Sequence, residues 1–147
     1  MGISSLTDAW VELLSRYRWC WFGTLTFRGY PPLRKAHRLF HAWITELRDE
    51  DGAKDFHWFR VTERGAYGDN IHFHVLVGGL RNGSKYPWMV RWNELAGDAL
   101  LTYYHRSGGA AKYIVKTVRP DRDFECDFDL STADSKQKSS GPNKKAK

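Results

Sequence analysis

The chain lacks several features that define large classes of proteins. Only two of its 147 residues are cysteines, Cys20 and Cys126, too few for a disulfide scaffold or a cysteine-based zinc site. It contains no apolar run near the length of a membrane span and no signal peptide, and segment 78–85 lacks the spacing of a nucleotide P-loop. We therefore expect a cytoplasmic protein that neither enters a membrane nor contains an ATPase motor.

What the chain has in excess is positive charge and aromatic side chains. Its formal net charge is +6, and aromatic residues make up 15% of the sequence. A basic protein of this size suggests a polyanionic partner, although charge alone does not name it. The length fits one folded domain, predicted over residues 1–130, followed by a Lys/Ser-rich disordered tail over 131–147.

Hydrophobic periodicity predicts helices and strands in an α+β order. Helices are predicted over Leu6–Tyr17, Leu33–Leu47, Tyr86–Leu100 and Ala110–Val118, and strands over Trp19–Phe27, Phe56–Glu63, Ile71–Val77 and Leu101–His105. A charged connector is expected over Asp49–Lys54. The order predicts a ferredoxin-like, split βαβ fold with a central antiparallel sheet of three or four strands.

The most informative motif is a pair of histidines separated by one apolar residue, His72-Phe73-His74. In a strand, side chains two positions apart point to the same face. The two imidazoles are therefore expected side by side, with Phe73 turned into the core. Such a pair could hold a cation together, and the alternative is a pair of structural histidines with no ligand.

Glu63 is the predicted third member of this site. A short glycine-containing turn separates its strand from the strand of His72, so the two should pair as a hairpin. Two imidazoles and one carboxylate suit Mn²⁺ or Mg²⁺ with open positions for substrate oxygens, although non-haem iron uses the same number of ligands. The alternative for Glu63 is a surface carboxylate paired with Arg60 or Arg64.

Tyr113 and Lys116 supply a possible nucleophile further along the chain. Three positions apart on the predicted helix, they share a face. An ammonium group near a phenol would favour attack by the phenol oxygen on a phosphate. The alternative is an interfacial tyrosine that borders the core.

Three ordered stretches together resemble the HUH endonuclease superfamily, and most of all the rolling-circle replication initiators of plasmids and phages. Segment 22–27, with its Thr-Leu-Thr core, resembles the first motif, His72-Phe73-His74 resembles the metal motif, and Tyr113-Ile114-Val115-Lys116 resembles the nucleophile motif Tyr-x-x-Lys. Position 109, where some phage initiators have a second catalytic tyrosine, is a glycine. The resemblance therefore implies one active tyrosine.

The resemblance implies a metal-dependent nicking and joining enzyme for single-stranded DNA. Tyr113 and Lys116 would be catalytic, and Glu63, His72 and His74 would bind Mn²⁺ or Mg²⁺. The partners would be single-stranded or hairpin origin DNA and a host helicase and polymerase, in a bacterial or archaeal cytoplasm. Seven residues are predicted to hold DNA: Arg28, Tyr30, Arg34, Arg60, Arg64, Tyr67 and Lys112.

Three other functions stay open at this stage. A single-tyrosine transposase of an insertion sequence shares the order of the motifs. A non-catalytic RNP-like module would share the sheet and the basic charge but would bind no metal. A metal-dependent oxidase or hydrolase of small molecules would need the three ligands but not Tyr113.

Overall fold

An antiparallel sheet of five strands is the centre of the computed structural model, which describes residues 2–65, 70–105 and 125–130. The described elements are α1 (Gly2–Ser15), β1 (Trp21–Leu25), α2 (Leu33–Asp51), β2 (His57–Arg64), β3 (Ile71–Gly78), α3 (Tyr86–Leu95), β4 (Ala99–Tyr103) and β5 (Glu125–Asp129). The predicted α+β class is confirmed. The strand count is higher than predicted, because the acidic segment that contains Glu125–Asp129 forms a fifth strand.

The strands lie in the order β4-β1-β3-β2-β5, and every neighbouring pair is antiparallel. β1 and β2 consequently run parallel to each other with β3 between them, and α2 connects them. The predicted β2–β3 hairpin is confirmed, with Glu63 directly opposite His72. β4 and β5 form the two edges of the sheet.

Each face of the sheet has its own hydrophobic core. The larger core lies on the α2/α3 face, where residues such as Phe40 and Trp43 of α2 and Trp92 of α3 pack against Phe73 and Val75 of β3. The smaller core lies on the α1 face and consists of Leu14, Trp19, Phe59, Val61, Leu76 and Leu130. Along each strand, successive side chains therefore point alternately to the α2/α3 face and to the α1 face.

Several predicted boundaries were wrong, among them those of the first helix, which spans Gly2–Ser15 and not Leu6–Tyr17. α2 continues to Asp51, into the predicted connector, and ends at Gly52, whose φ of 70° suits glycine and whose N–H donates to the Arg48 carbonyl. α3 ends at Leu95, five residues before the predicted end. The following strand accordingly begins at Ala99 rather than Leu101. The predicted helix over 110–118 and the predicted tail over 131–147 lie outside the described residues.

Candidate metal and nucleic-acid site

His72 and His74 lie on the α1 face of β3, as predicted. Phe73 points the other way and is fully buried in the α2/α3 core, while Leu76 on the histidine side belongs to the α1 core. His74 is buried, with 8% of its side chain exposed, and His72 is partly exposed. The alternation of the strand thus brings both imidazoles to one face.

Glu63 joins these histidines from the neighbouring strand. It is the register partner of His72, and its Oε1 lies 2.7 Å from Nε2 of His74. Its side chain is 45% exposed, so the carboxylate also borders solvent. The alternative pairing of Glu63 is not seen within the described segments, where Arg60 pairs with Asp127 and Arg64 with Glu125.

Thr24 of β1 is a member of the site that the sequence prediction missed. It is the register partner of His74, and its hydroxyl oxygen lies 3.3 Å from Nδ1 of that ring. His74 therefore contacts a carboxylate through one ring nitrogen and a hydroxyl through the other, which fixes the orientation of the imidazole. Thr24 is the first threonine of the Thr-Leu-Thr motif, and that motif was the available signal.

The types of donor on this face suit a divalent cation. Two imidazoles and a carboxylate are ligands that Mn²⁺ accepts, and Mg²⁺ accepts the carboxylate together with phosphate and water oxygens. Across the described part of the chain, no group of three His, Cys, Asp or Glu side chains already has the arrangement of a metal site. Instead, Glu63 and His74 bond directly to each other.

Among the described helices, α1 alone packs on the face that carries the site, and it covers one side of that face. α1 packs through Trp10 and Leu14 over the half that β2 and β5 form. Toward β4 the same face is more exposed. We call this region the open half and define it by four side chains of β1 and β4: Phe22, Thr24, Leu100 and Thr102. His72, His74 and Glu63 lie at the border between the covered and open halves.

Three of the predicted DNA contacts lie beyond the end of β1, at the end of the sheet that carries His72. Arg28 is exposed and donates to the Asn93 carbonyl, Tyr30 is 72% exposed, and Arg34 is exposed in the first turn of α2. Arg64 is also exposed, but it faces away from the histidines and pairs with Glu125 at 3.4 Å. These four contacts stay predictions.

The structure argues against the prediction that Arg60 contacts DNA. Its side chain is only 1% exposed and so is not available to DNA in this structure. Its guanidinium lies between the rings of Phe40 and Phe73, 4.7 and 4.4 Å from their centroids, and 3.7 Å from the Asp127 carboxylate. Burial lowers the pKa of Arg60 to about 10, so the group still carries its charge at neutral pH. Arg60 thus packs against Phe73 of β3 on the face of the sheet opposite the histidines.

Four predicted site residues lie outside the described residues: Tyr67, Lys112, Tyr113 and Lys116. The ends of the connection that contains Tyr113 are described. β4 ends at Tyr103 on one edge of the sheet, and β5 begins at Glu125 on the other edge and at the opposite end of the strands. The chain between these two residues therefore joins the two edges.

Comparison of the chain with known protein families, with curated proteins and with solved structures finds no match in any of the three. Among the helices that are described, none combines the length and the apolar character needed to cross a bilayer.

Proposed function

We propose that this protein is an HUH-type endonuclease that nicks and joins single-stranded DNA, as a rolling-circle replication initiator does. The observation that supports the proposal is that Glu63, His72 and His74 share one face of the sheet, with Glu63 bonded to His74 at 2.7 Å and paired in register with His72. The strand order β4-β1-β3-β2 with α2 and α3 on one face is the order we expect of a ferredoxin-like split βαβ fold, and it supports the proposal.

Glu63, His72 and His74 would hold a divalent cation such as Mn²⁺ or Mg²⁺. When bound, this cation supplies positive charge that polarises the phosphodiester and offsets the charge developing on its oxygens. Thr24 fixes the orientation of the His74 ring through the contact of its hydroxyl with Nδ1. The bond-making and bond-breaking steps involve side chains of the protein and the DNA itself.

Tyr113 is the proposed nucleophile. Its phenol oxygen loses a proton and attacks the phosphorus in line, the bond from phosphorus to the 3′ oxygen breaks, and that oxygen takes up a proton. The products are a 5′-phosphotyrosine and a free 3′-hydroxyl. Lys116, three residues on in the sequence, stabilises the phenolate or the phosphate by its charge. Attack of a 3′-hydroxyl on the phosphotyrosine reverses the reaction and joins two ends.

The decisive experiment is a search for the covalent adduct. The protein is incubated with single-stranded plasmid DNA and Mn²⁺, and the products are separated on a denaturing gel. We expect an adduct with the parent and none with Tyr113→Phe, which removes only the hydroxyl. Tyr103→Phe and Tyr104→Phe serve as matched controls and should keep the adduct, because neither tyrosine has a lysine three residues on.

Peptide mapping should place the nucleotide between Lys112 and Lys116. An adduct that survives in Tyr113→Phe, or that maps to Tyr103 or Tyr104, would assign the nucleophile elsewhere. Tight binding of single-stranded DNA with no adduct and no bound Mn²⁺ would favour the non-catalytic RNP-like alternative. Transposition and replication initiation share this chemistry, so the adduct supports both.

A further inference from the structure

The open half of the histidine face presents one large apolar side chain to solvent. Leu100 of β4 is 63% exposed, and it lies directly opposite Thr24 in the β1–β4 ladder. Thr24 in turn lies opposite His74. Leu100 and His74 are thus separated by one strand, which puts their backbones about 10 Å apart, or two interstrand spacings.

Among the described residues, the side chains that define the open half around Leu100 are uncharged, and the nearby carboxylate of the exposed Asp98, two residues earlier, accepts a hydrogen bond from the Asn93 amide. Thr102 lies on the same face and is exposed, and its hydroxyl donates to the Phe22 carbonyl at 3.3 Å. Neither Phe22, Thr24 nor Thr102 adds a carboxylate to the open half, in a chain of net charge +6. Hydroxyl groups commonly contact phosphate and sugar oxygens, and apolar side chains, leucine among them, pack against bases that are unstacked.

Leu100 differs in position from the other large apolar side chains that are exposed in the described part of the chain. Tyr86 and Val90 lie on α3, on the other side of the sheet, and Tyr30 lies beyond the end of β1. Phe128 lies on β5, where it packs against Trp10 of α1, and Tyr103 lies on β4 but faces the α2/α3 side, where Lys85 lies over its ring. Leu100 alone among them shares a cross-strand row with His74 on the open half.

We propose that Leu100 packs against an unpaired base of the DNA strand, next to the phosphate held at Glu63, His72 and His74. This inference rests on the proposed function for the position of that phosphate. It assigns the open half to the nucleotides that flank the cleaved bond. Paired bases in a duplex are stacked inside the helix, so this contact is specific to single strands.

The test compares Leu100→Ala with the parent by fluorescence anisotropy, in the presence of a chelator, on two labelled strands of equal length. One strand is oligothymidylate, and the other is the same backbone with abasic sugars. We expect Leu100→Ala to weaken binding of oligothymidylate about three- to tenfold, because apolar area is lost from the contact. Binding of the abasic strand should change little.

Val90→Ala is the matched control, since it shortens an exposed aliphatic side chain on the other side of the sheet. It should leave both affinities unchanged. Leu100→Phe should keep or strengthen oligothymidylate binding, because an aromatic ring stacks on bases. Thermal unfolding of each variant checks that the fold is intact, as expected for a side chain as exposed as Leu100.

The inference is overturned if Leu100→Ala binds both strands like the parent, or weakens both equally. If Tyr113 forms the adduct but Leu100→Ala does not change DNA affinity, the proposed function stands and the contact between Leu100 and a base is rejected. If Leu100→Ala weakens binding of oligothymidylate alone but the parent forms no adduct, the contact with a base is supported and the proposed nicking activity is rejected.

Discussion

At the scale of single residues, the site depends on how one imidazole is held. His74 is buried, meets Glu63 at Nε2 and meets the Thr24 hydroxyl at Nδ1. The residues that orient a ligand are often as important to a metal site as the ligand itself. Thr24 is therefore expected to act as a positioning residue that affects the reaction without touching the DNA phosphate.

Replacement of Thr24 by valine tests this role. Thr24→Val keeps the shape of the side chain but removes the contact to Nδ1, so the rate of adduct formation should fall about 10- to 100-fold. Thr24→Ser should restore most of it. The matched control is Thr26→Val, because the Thr26 hydroxyl bonds to the Asp98 carbonyl instead. Equal loss in both valine variants would point to general damage at this end of β1.

The metal ligands themselves give a second prediction. His74→Ala and Glu63→Gln should abolish Mn²⁺-dependent cleavage, and a chelator should do the same to the parent. Circular dichroism should show that both variants stay folded. His41→Ala is the control, since His41 is about half exposed on α2 and lies on the other face of the sheet. Cleavage that continues at full rate in chelator would exclude a metal role.

His37 makes a prediction about acid stability. It packs against Phe73 from α2, and its Nε2 is buried with no hydrogen-bond partner among the described residues. Burial first, and then the nearby Arg60 charge, lower the pKa of His37, while Asp127 and Glu125 act in the opposite direction and His41 adds to the lowering. The folded protein therefore prefers neutral His37.

Because the unfolded chain binds this proton more readily, the free energy of unfolding should decrease as the pH falls through 6.5 toward the lower folded pKa. His37→Leu should make this decrease shallower in urea unfolding curves between neutral pH and about pH 5. His105→Leu is the control, because that side chain is exposed. An unchanged slope in His37→Leu would show that other groups cause the acid sensitivity.

At the scale of elements, β5 is a strand that its own sequence does not predict. Glu125, Asp127 and Asp129 give it a composition that disfavours strands. It is held by tertiary contacts instead, with the Phe128 ring stacked on Phe59 and the Asp127 carboxylate beside Arg60. Local preference could not reveal partners that lie more than sixty residues earlier in the chain.

The elements with a strong local pattern were predictable. The alternation in β3 placed both histidines and Phe73 correctly, and the short turn after β2 gave the pairing of Glu63 with His72. The burial of Arg60 could not be predicted, because an arginine usually faces solvent and distant partners, the rings of Phe40 and Phe73 and the Asp127 carboxylate, make its position favourable.

A double-mutant cycle measures how strongly β5 depends on Arg60. Asp127→Ala should lower the free energy of unfolding by about 1–3 kcal/mol, because the buried guanidinium loses its carboxylate. In an Arg60→Met background the same change should cost less, with a coupling energy of about 1 kcal/mol. The measurement is chemical denaturation of the parent, both single variants and the double variant. Simple additivity would mean that the ion pair does not stabilise β5.

At the scale of the whole molecule, the two faces of the sheet differ in how much surface they leave to a ligand. α2 and α3 both pack on one face, whereas α1 packs over the β2 and β5 side of the other. Among the described helices, none covers the half of that face toward β4, so the site opens onto an exposed stretch of the sheet.

Cleavage should consequently require DNA that is already unpaired. We expect adduct formation with single strands and with extruded hairpins, and little with a relaxed duplex of the same sequence. A gel assay with the three substrates at equal concentration measures the difference, and heat-denatured duplex serves as the internal control. Equal rates on all three would contradict a single-strand site.

The positions of β4 and β5 have a consequence for the fate of the cut DNA. The connection that contains Tyr113 begins at one edge of the sheet and ends at the other, so both of its ends are fastened to the same rigid body. On the proposed function, a 5′ end bonded to Tyr113 is tethered and keeps a high effective concentration beside the site. The released 3′ end has no such tether. On the same proposal, the time for which that 3′ end stays bound would decide whether the original strand is resealed or a new strand is joined.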